Sequence, residues 1–389
     1  LVSFLKAQIP FLVLSLLTGL SSAFITPIMS YFLVDELQVA PFYIGVYTVA
    51  VTLTGLVVSQ YFGYLADHGV KAKNLYRLAQ TAFGLALVVF SISQSFWWVL
   101  FAGVVFMSVG AASIPQMLTI SINWAKSANI DLTAFNSKVR ASISLAWILG
   151  PAIAFALVGR CGFAASFLVS LICVVLAISF CSFYVPNQIT QNRTKLKQEQ
   201  QANVPLSFYL VAIAVCFGFA AHMMFGSSMP LYVLHELKLP NYLPGLLMGL
   251  VAALEIPIML FSARLSRHIG PAKLMACAFV SAGIFYIGMF YSWQIWQLVC
   301  LQIFNALFYG LYAGVGLTLL QSQLEGRTGF SSAFYANSMK VGLMIGTSGT
   351  GLIAQFSRFQ YANIGALLCI SIALISILYF LLLQKSKSV

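Results

Sequence analysis

Tyr31-Phe-Leu-Val-Asp-Glu36-Leu37 and Leu231-Tyr-Val-Leu-His-Glu236-Leu237 stand about 200 residues apart and share one pattern, an apolar run closed by Glu-Leu. The register holds further along the chain. Gly45 meets Gly245 where the next apolar run opens, and Leu65, His68 and Lys73 meet Leu265, His268 and Lys273 at its far end. Landmarks kept in constant register across two apolar runs and their connections argue for duplication of half the chain. Further on, Asn136-Ser137 and Asn337-Ser338 keep the register to within one residue, each pair leading into a basic residue. A six-plus-six repeat of this kind is the sequence form of a two-bundle transporter.

The composition sets what the repeated halves are. Of the 389 residues, 61% are hydrophobic and only 7% charged, and the mean hydropathy is +0.94. No soluble domain of this length could bury so much apolar surface, so an all-α polytopic membrane protein is expected. Hydropathy divides the chain into about twelve runs of spanning length. They lie near Ile9 to Leu33, Phe42 to Ala66, Leu75 to Ser93, Trp97 to Ile122, Ser137 to Gly159 and Ala164 to Val185. The second six lie near Leu206 to Leu234, Leu243 to Leu265, Ala272 to Tyr291, Gln294 to Leu320, Ser332 to Phe356 and Tyr361 to Leu383. Between the sixes, Pro186 to Pro205 is the longest polar stretch and carries Arg193, Lys195, Lys197 and Glu199. It reads as a flexible cytoplasmic linker between an N-terminal bundle, 1–185, and a C-terminal bundle, 206–389.

Charge placement sets the expected orientation. With both termini cytoplasmic, the outward loops hold only Arg160, Lys238 and Arg358, while Arg140 and Lys340 sit within spans near their inner ends. The remaining Lys and Arg then fall on the cytoplasmic side, a strong positive-inside pattern. The +12 formal charge is scattered through short loops, so it reads as a topology signal and not as a nucleic-acid surface. The sequon Asn192-Arg-Thr194 consequently faces the cytoplasm and is expected to carry no glycan. The seven cysteines are odd in number, lie mostly in apolar segments and form no CxxC pair, which suggests neither a disulfide framework nor a metal site. The apolar run from Ile9 is too long for the core of a cleavable signal and reads as the first span. The sequence opens on Leu1 rather than Met, so a few residues upstream are expected.

Within Leu246-Leu-Met-Gly-Leu-Val-Ala-Ala-Leu-Glu255-Ile-Pro257-Ile-Met-Leu-Phe261, Glu255 is the one carboxylate deep inside an apolar run. A carboxylate at the centre of a membrane helix costs roughly 2.5 to 3.5 kcal/mol, and such residues usually face a partner or a water-filled cavity. Because an apolar setting penalises the charged form, this group could take up and release a proton. A structural reading stands beside that one: Pro257 frees the carbonyl of Ala253, and a neutral Glu255 could hydrogen-bond within a kinked helix.

Gly63-Tyr-Leu-Ala-Asp67-His-Gly69-Val-Lys-Ala-Lys73, after the second run, resembles the signature loop of the major facilitator superfamily. It departs by one missing residue between Asp67 and Gly69, and by His68 in place of Arg. Ala263-Arg-Leu-Ser-Arg267-His-Ile-Gly270 is an eroded second copy, and Gly150-Pro151 resembles the core of the superfamily's fifth-helix motif, with Ala146 and Ala154 at other glycine positions. Arg140-Ala-Ser-Ile-Ser-Leu-Ala-Trp147-Ile-Leu-Gly-Pro151, Leu254-Glu255-Ile-Pro257 and Gln302-Ile-Phe-Asn305-Ala together resemble the sugar efflux transporter family within it. The resemblance runs over essentially the whole chain. It implies twelve transmembrane helices in two pseudo-symmetric bundles in a cell inner membrane. It also implies export of small sugars or glycosides by alternating access, with proton antiport and a site between the halves. A monomer is expected.

In such a fold the first, fourth, seventh and tenth helices would line the cavity. On the tenth, Gln302, Asn305, Tyr309 and Tyr312 fall at intervals that place two amides and two phenols on one helix face. Amides suit sugar hydroxyls and rings suit the C–H face of a pyranose, although such side chains also hold membrane helices together. The fourth helix offers Gln116 between Ser113 and Thr119, and the first offers Thr18, Ser22 and Thr26, whose small hydroxyls fit close packing better than a ligand. His222, with Ser227 and Ser228 below it, could bind a hydroxyl, relay a proton alongside Glu255, or bond a neighbouring helix. Trp147 could stack on a sugar ring or simply pack. Arg140 and Lys340 either reach the interface or act in gating or substrate contact, and Asp67, Gly150 and Pro151 belong with the gating and structural set.

Rival functions are narrower. A proton-driven exporter of drugs or amphipathic compounds is the nearest, since 14% aromatic residues could line an apolar pocket. A sensor that binds sugar without moving it is another. No phosphate loop, metal-ligand cluster or nucleophile–His–acid set appears, so neither an enzyme, a cofactor, a metal nor an ATP-driven pump is expected.

Overall fold

The computed structural model describes residues 2–128, 130, 132–185, 204–324 and 327–387. The linker residues 186–203, the sequon among them, lie outside the described residues, as do the side chains of Asp67 and Ser137. The described chain is helical, with no strand among the described residues. In chain order the long helices are α1 (Val2–Ala23), α2 (Phe42–Asp67), α3 (Ala72–Ile92), α4 (Phe96–Ser127, interrupted), α5 (Leu132–Cys161) and α6 (Phe163–Tyr184). They continue as α7 (Leu206–Leu231), α8 (Leu243–Ile269), α9 (Pro271–Tyr291), α10 (Ile295–Gln321), α11 (Thr328–Phe356) and α12 (Ala362–Lys387).

Eleven of these twelve contain a stretch long and apolar enough to cross a membrane. The twelfth, α11, is 29 residues long, but its Ser, Thr and Gly residues dilute its hydropathy. Two runs expected to be continuous are broken. The first bends after Ala23 through the 3-10 turn Thr26–Ile28, where Pro27 supplies no N–H. The fourth passes through a π-helical turn, Gly103–Met107, and breaks at Ala111–Ala112, just before Pro115. α5 begins at Leu132, five residues ahead of the predicted start, so Arg140 sits two turns into the helix, and it is exposed.

The sequence repeat is reproduced in backbone geometry. Phe32–Glu36 and Tyr232–Glu236 are both π-helical turns. They close through Leu37 N–H to Phe32 O (3.1 Å) and Leu237 N–H to Tyr232 O (3.0 Å). Gln38 (φ 51°) and Lys238 (φ 52°) then take the left-handed conformation, an uncommon one for a side chain of that size. Gly69 (φ 91°) and Gly270 (φ 85°) reverse the chain at the far ends of α2 and α8, where a Cβ would be strained.

Among the described residues the chain separates into two units, Leu1–Val39 with Val49–Lys195, and Ala40–Thr48 with Leu196–Val389. In the first, α1 packs on α5 and α6, and α3 on α4 and α6. In the second, α7 packs on α11 and α12, α9 on α10 and α12, and α8 on α10. Small residues permit the closest approaches, as expected where van der Waals packing drives membrane helix association. A Cβ on Gly19 would stand 2.9 Å from Ala146 Cβ, and one on Gly150 would collide with Ala23. Gly342 and Gly346 lie equally hard against the α7 backbone at Cys216 and Ala220. The Gly150-Pro151 pair, both residues buried, therefore sits at the α1–α5 contact.

Candidate functional site

In the second unit α10 carries a row of polar residues and packs on α8 and α7. On α8 the side chains of Ile258, Met259 and Ser262 and the main-chain oxygen of Glu255 lie against α10. Opposite them α10 presents Gly310 and Gly314. A Cβ on Gly310 would meet Ile258 Cγ2 at 2.8 Å and the Glu255 carbonyl oxygen at 3.2 Å, and one on Gly314 would collide with Ser262 Oγ. Glu255 is half-buried, and its carboxyl makes no hydrogen bond or ion pair among the described residues. The helix stays regular through Pro257, and the bond from Glu255 to the freed Ala253 carbonyl that a purely structural role would use is not formed.

Tyr309 is the centre of the cluster. Its ring stacks on the His222 imidazole of α7, with centroids 3.9 Å apart and planes 21° from parallel. Glu255 and Tyr335 both lie near enough to act electrostatically on its phenol. His222 is half-buried, and its Nδ1 is sealed from solvent without a hydrogen-bond partner. A buried imidazole nitrogen left unpaired is costly, which makes this atom a candidate for a mobile proton or a ligand hydroxyl.

The other members of the predicted stripe on α10 are committed inward. Gln302 is fully buried and donates through Nε2 to the Leu298 carbonyl (2.8 Å); its Oε1 accepts from Asn305 Nδ2 (3.1 Å). The carbonyl anchor dictates the sense of this chain, leaving Asn305 Oδ1 as an unpaired acceptor on a side chain only 3% exposed. Tyr312, also fully buried, donates to the Val215 carbonyl of α7 at 2.7 Å. Of the four residues, Tyr309 alone is in direct ring contact with His222, and Tyr312 is a tie between helices.

In the first unit the predicted residues are apart. Gln116 on α4 is buried with its Oε1 unpaired, and Ser113 Oγ one turn earlier is likewise sealed and unpaired. Nearby, Thr18 of α1 shares a 2.7 Å hydrogen bond with the buried Tyr76 of α3, and Gln80 Nε2 donates to Tyr76 Oη at 3.3 Å. Trp147 is half-buried on α5. Lys340 is half-buried on α11. Three residues of this interior escaped notice in the sequence. Tyr335, Tyr76 and Gln80 carry no local signal, whereas Gly310 and Gly314, spaced by four, could have pointed to a close helix crossing. Among the described residues no cluster of three or more His, Cys, Asp or Glu could hold a metal.

Comparison with known proteins adds an independent line. The family model described as Major Facilitator Superfamily matches residues 11–292 and 211–389. The chain is 32% identical over 349 residues to Sugar efflux transporter A of Dickeya chrysanthemi, covering 89% of this chain and 88% of that one. It is 30% identical over 376 residues to Sugar efflux transporter C of Escherichia coli, covering 95% and 94%. Among solved structures it resembles the nucleoside transporter NupG with a TM-score of 0.77 at 14% identity, over 97% of this chain and 99% of that one. It also resembles a bacterial homologue of the iron transporter ferroportin in an inward-facing state, with a TM-score of 0.76 at 16% identity over 97% and 98%. At such identities the structural likeness speaks to fold alone.

Proposed function

Because this chain belongs to the major facilitator superfamily and, within it, to the sugar efflux transporters, we propose that it exports small sugars or glycosides by proton antiport. Membership makes it a multi-pass membrane transporter rather than an enzyme. The placement of basic residues supports an inner-membrane orientation with both termini cytoplasmic. In this reading residues 1–185 and 206–389 are the two moving halves, joined by the 186–205 linker. They expose a sugar site to the cytoplasm and then to the outside.

The observation that carries the coupling is the Glu255 carboxyl, which has no hydrogen-bonding or ionic partner among the described residues and acts electrostatically on the Tyr309 phenol of α10. A carboxylate kept at that depth without a structural bond is the group expected to be protonated and deprotonated during transport. Tyr309, on whose phenol Glu255 acts electrostatically, is the group proposed to stabilise the ionised state, with His222 stacked on its ring as the second proton-coupling candidate. One charge crossing 100 mV is worth about 2.3 kcal/mol, enough to sustain a sugar gradient of tens of fold. Asn305, Gln116 and Trp147 are the candidate sugar contacts, and Gln302 holds Asn305 in place. Asp67, Arg140 and Lys340 are assigned to gating.

The test is proton movement in proteoliposomes holding wild type or Glu255→Gln, with lactose, a glucoside or a cationic dye added in turn. Sugar-dependent proton flux lost in the variant, with sugar exchange retained, is the expected result. Uphill export by Glu255→Gln at the wild-type level refutes the coupling, and flux with the dye alone moves the reading to a drug exporter.

A further inference from the structure

The two halves differ at the position of Glu255. Its counterpart in the repeat is Gly55, which faces α4, where a Cβ would find the Ser108 carbonyl oxygen 3.8 Å away and nothing nearer. The same site on α8 holds a carboxylate, and there the neighbouring helix is far closer. A Cβ on Gly310 would stand 2.8 Å from Ile258 Cγ2, 3.0 Å from Ile258 Cβ and 3.2 Å from the Glu255 carbonyl oxygen. Contacts of 2.8 Å between carbons are not tolerated, and ordinary contact begins near 3.5 Å, so any side chain at 310 must move α8 or α10 by several tenths of an ångström. One turn on, Ser262 is fully buried, and a Cβ on Gly314 would collide with it, so the close approach of α8 and α10 continues there.

Gly310 directly follows Tyr309, whose ring stacks on His222. The backbone contact at Gly310 therefore fixes how closely the main chain at Glu255 approaches the segment of α10 that carries Tyr309. We propose that Gly310 is a positioning residue for the coupling carboxylate: its missing side chain lets α8 seat against α10, and this seating sets how Glu255 stands relative to Tyr309. The inference rests on the antiport reading above, and it adds a residue that neither touches substrate nor titrates. Displacements of about 1 Å at a reacting centre can cost 10²-fold, so a shift of several tenths is expected to cost about tenfold.

The experiment measures sugar-dependent proton flux and sugar exchange for Gly310→Ala, Ile258→Ala, the double variant and Glu255→Gln in parallel. Gly310→Ala is expected to lose about tenfold in proton flux while exchange KM stays within twofold, copying Glu255→Gln in kind. Ile258→Ala removes Cγ2 at 2.8 Å but keeps Cβ at 3.0 Å, so the double variant is expected to recover only part of the loss, to about threefold below wild type. Should Gly310→Ala fail to accumulate, Ile258→Phe presses on the same contact from α8 and is expected to give the same selective loss. Wild-type proton flux in Gly310→Ala, or equal loss of exchange and proton flux without recovery in the double variant, overturns the positioning role. If Glu255→Gln itself leaves proton flux intact, the antiport reading falls instead, a result separable from either outcome at Gly310.

Discussion

Tyr312→Phe separates a ligand from a helix tie on the face of α10. The tyrosine is fully buried, and its phenol donates to the Val215 carbonyl of α7 at 2.7 Å. Replacement by phenylalanine removes one oxygen. The ring keeps its neighbours Phe308, Tyr309 and Phe279, whose centroids lie 5.8, 5.9 and 6.2 Å away. Val215 sits inside a regular helix, so its carbonyl retains the main-chain bond and is not orphaned. The loss is therefore that of one interhelical hydrogen bond, about 0.6 kcal/mol and at most about 1.7 kcal/mol. Equilibrium unfolding in mixed micelles should register that drop, while the KM of sugar exchange stays within twofold. A lost sugar contact of about 1 kcal/mol would instead raise KM about fivefold. A fivefold rise in KM with unchanged stability would show that the phenol serves the substrate and that the Val215 bond is incidental.

Other expectations follow from the same contacts. Gln302→Leu leaves Asn305 Nδ2 unpaired in the buried interior and should destabilise by about 1–3 kcal/mol, read by the same unfolding assay. Gly346→Val drives a side chain into the α7 backbone at Ala220 and Met224, which cannot yield as a flexible side chain would. A loss of 1–3 kcal/mol or more is expected, visible as poor recovery of monodisperse protein in detergent. Glu236 accepts hydrogen bonds from the main-chain N–H groups of Phe359 (2.5 Å) and Gln360 (3.3 Å) ahead of α12. Glu236→Gln should weaken that charge-assisted cap by about 1.5 kcal/mol, measured as faster amide exchange at Phe359 and Gln360. Unchanged exchange there would mean that the carboxylate does not hold the turn.

Much of the architecture was legible in one dimension, because a bilayer imposes its constraints locally. Each span must be an apolar helix satisfying its own main-chain hydrogen bonds, so hydropathy alone located twelve helices and placed most ends within a few residues. The repeat was legible for a related reason. The Glu-Leu landmarks mark backbone turns with unusual geometry, and Gln38 with Lys238 shows the same left-handed residue closing both copies. The interior of the spans was less legible. Hydropathy read the first and fourth spans as continuous, although Pro27 and Pro115 stand at their breaks, and the π-helical turn at Gly103–Met107 has no proline to announce it.

Side-chain roles divide along the same line. Helical spacing put Gln302, Asn305, Tyr309 and Tyr312 on one face, and a lone carboxylate amid apolar residues singled out Glu255, since both follow from identity and period alone. Which of the four touches what depends on the neighbouring helix. Tyr312 meets a main-chain carbonyl of α7, Gln302 bonds its own helix, and Tyr309 alone reaches the His222 ring. The α7 partners of Tyr312 and Tyr309 lie 97 and 87 residues away in the chain, and no local period encodes them. Gly310 makes the point most sharply: its importance lies in an atom it lacks, and that matters only once α8 is seen to fill the space. The sequence by itself determined the helices, the repeat and the chemistry available; the tertiary structure decided which of those groups meet, because contact between helices is a property of packed surfaces and not of spacing along a chain.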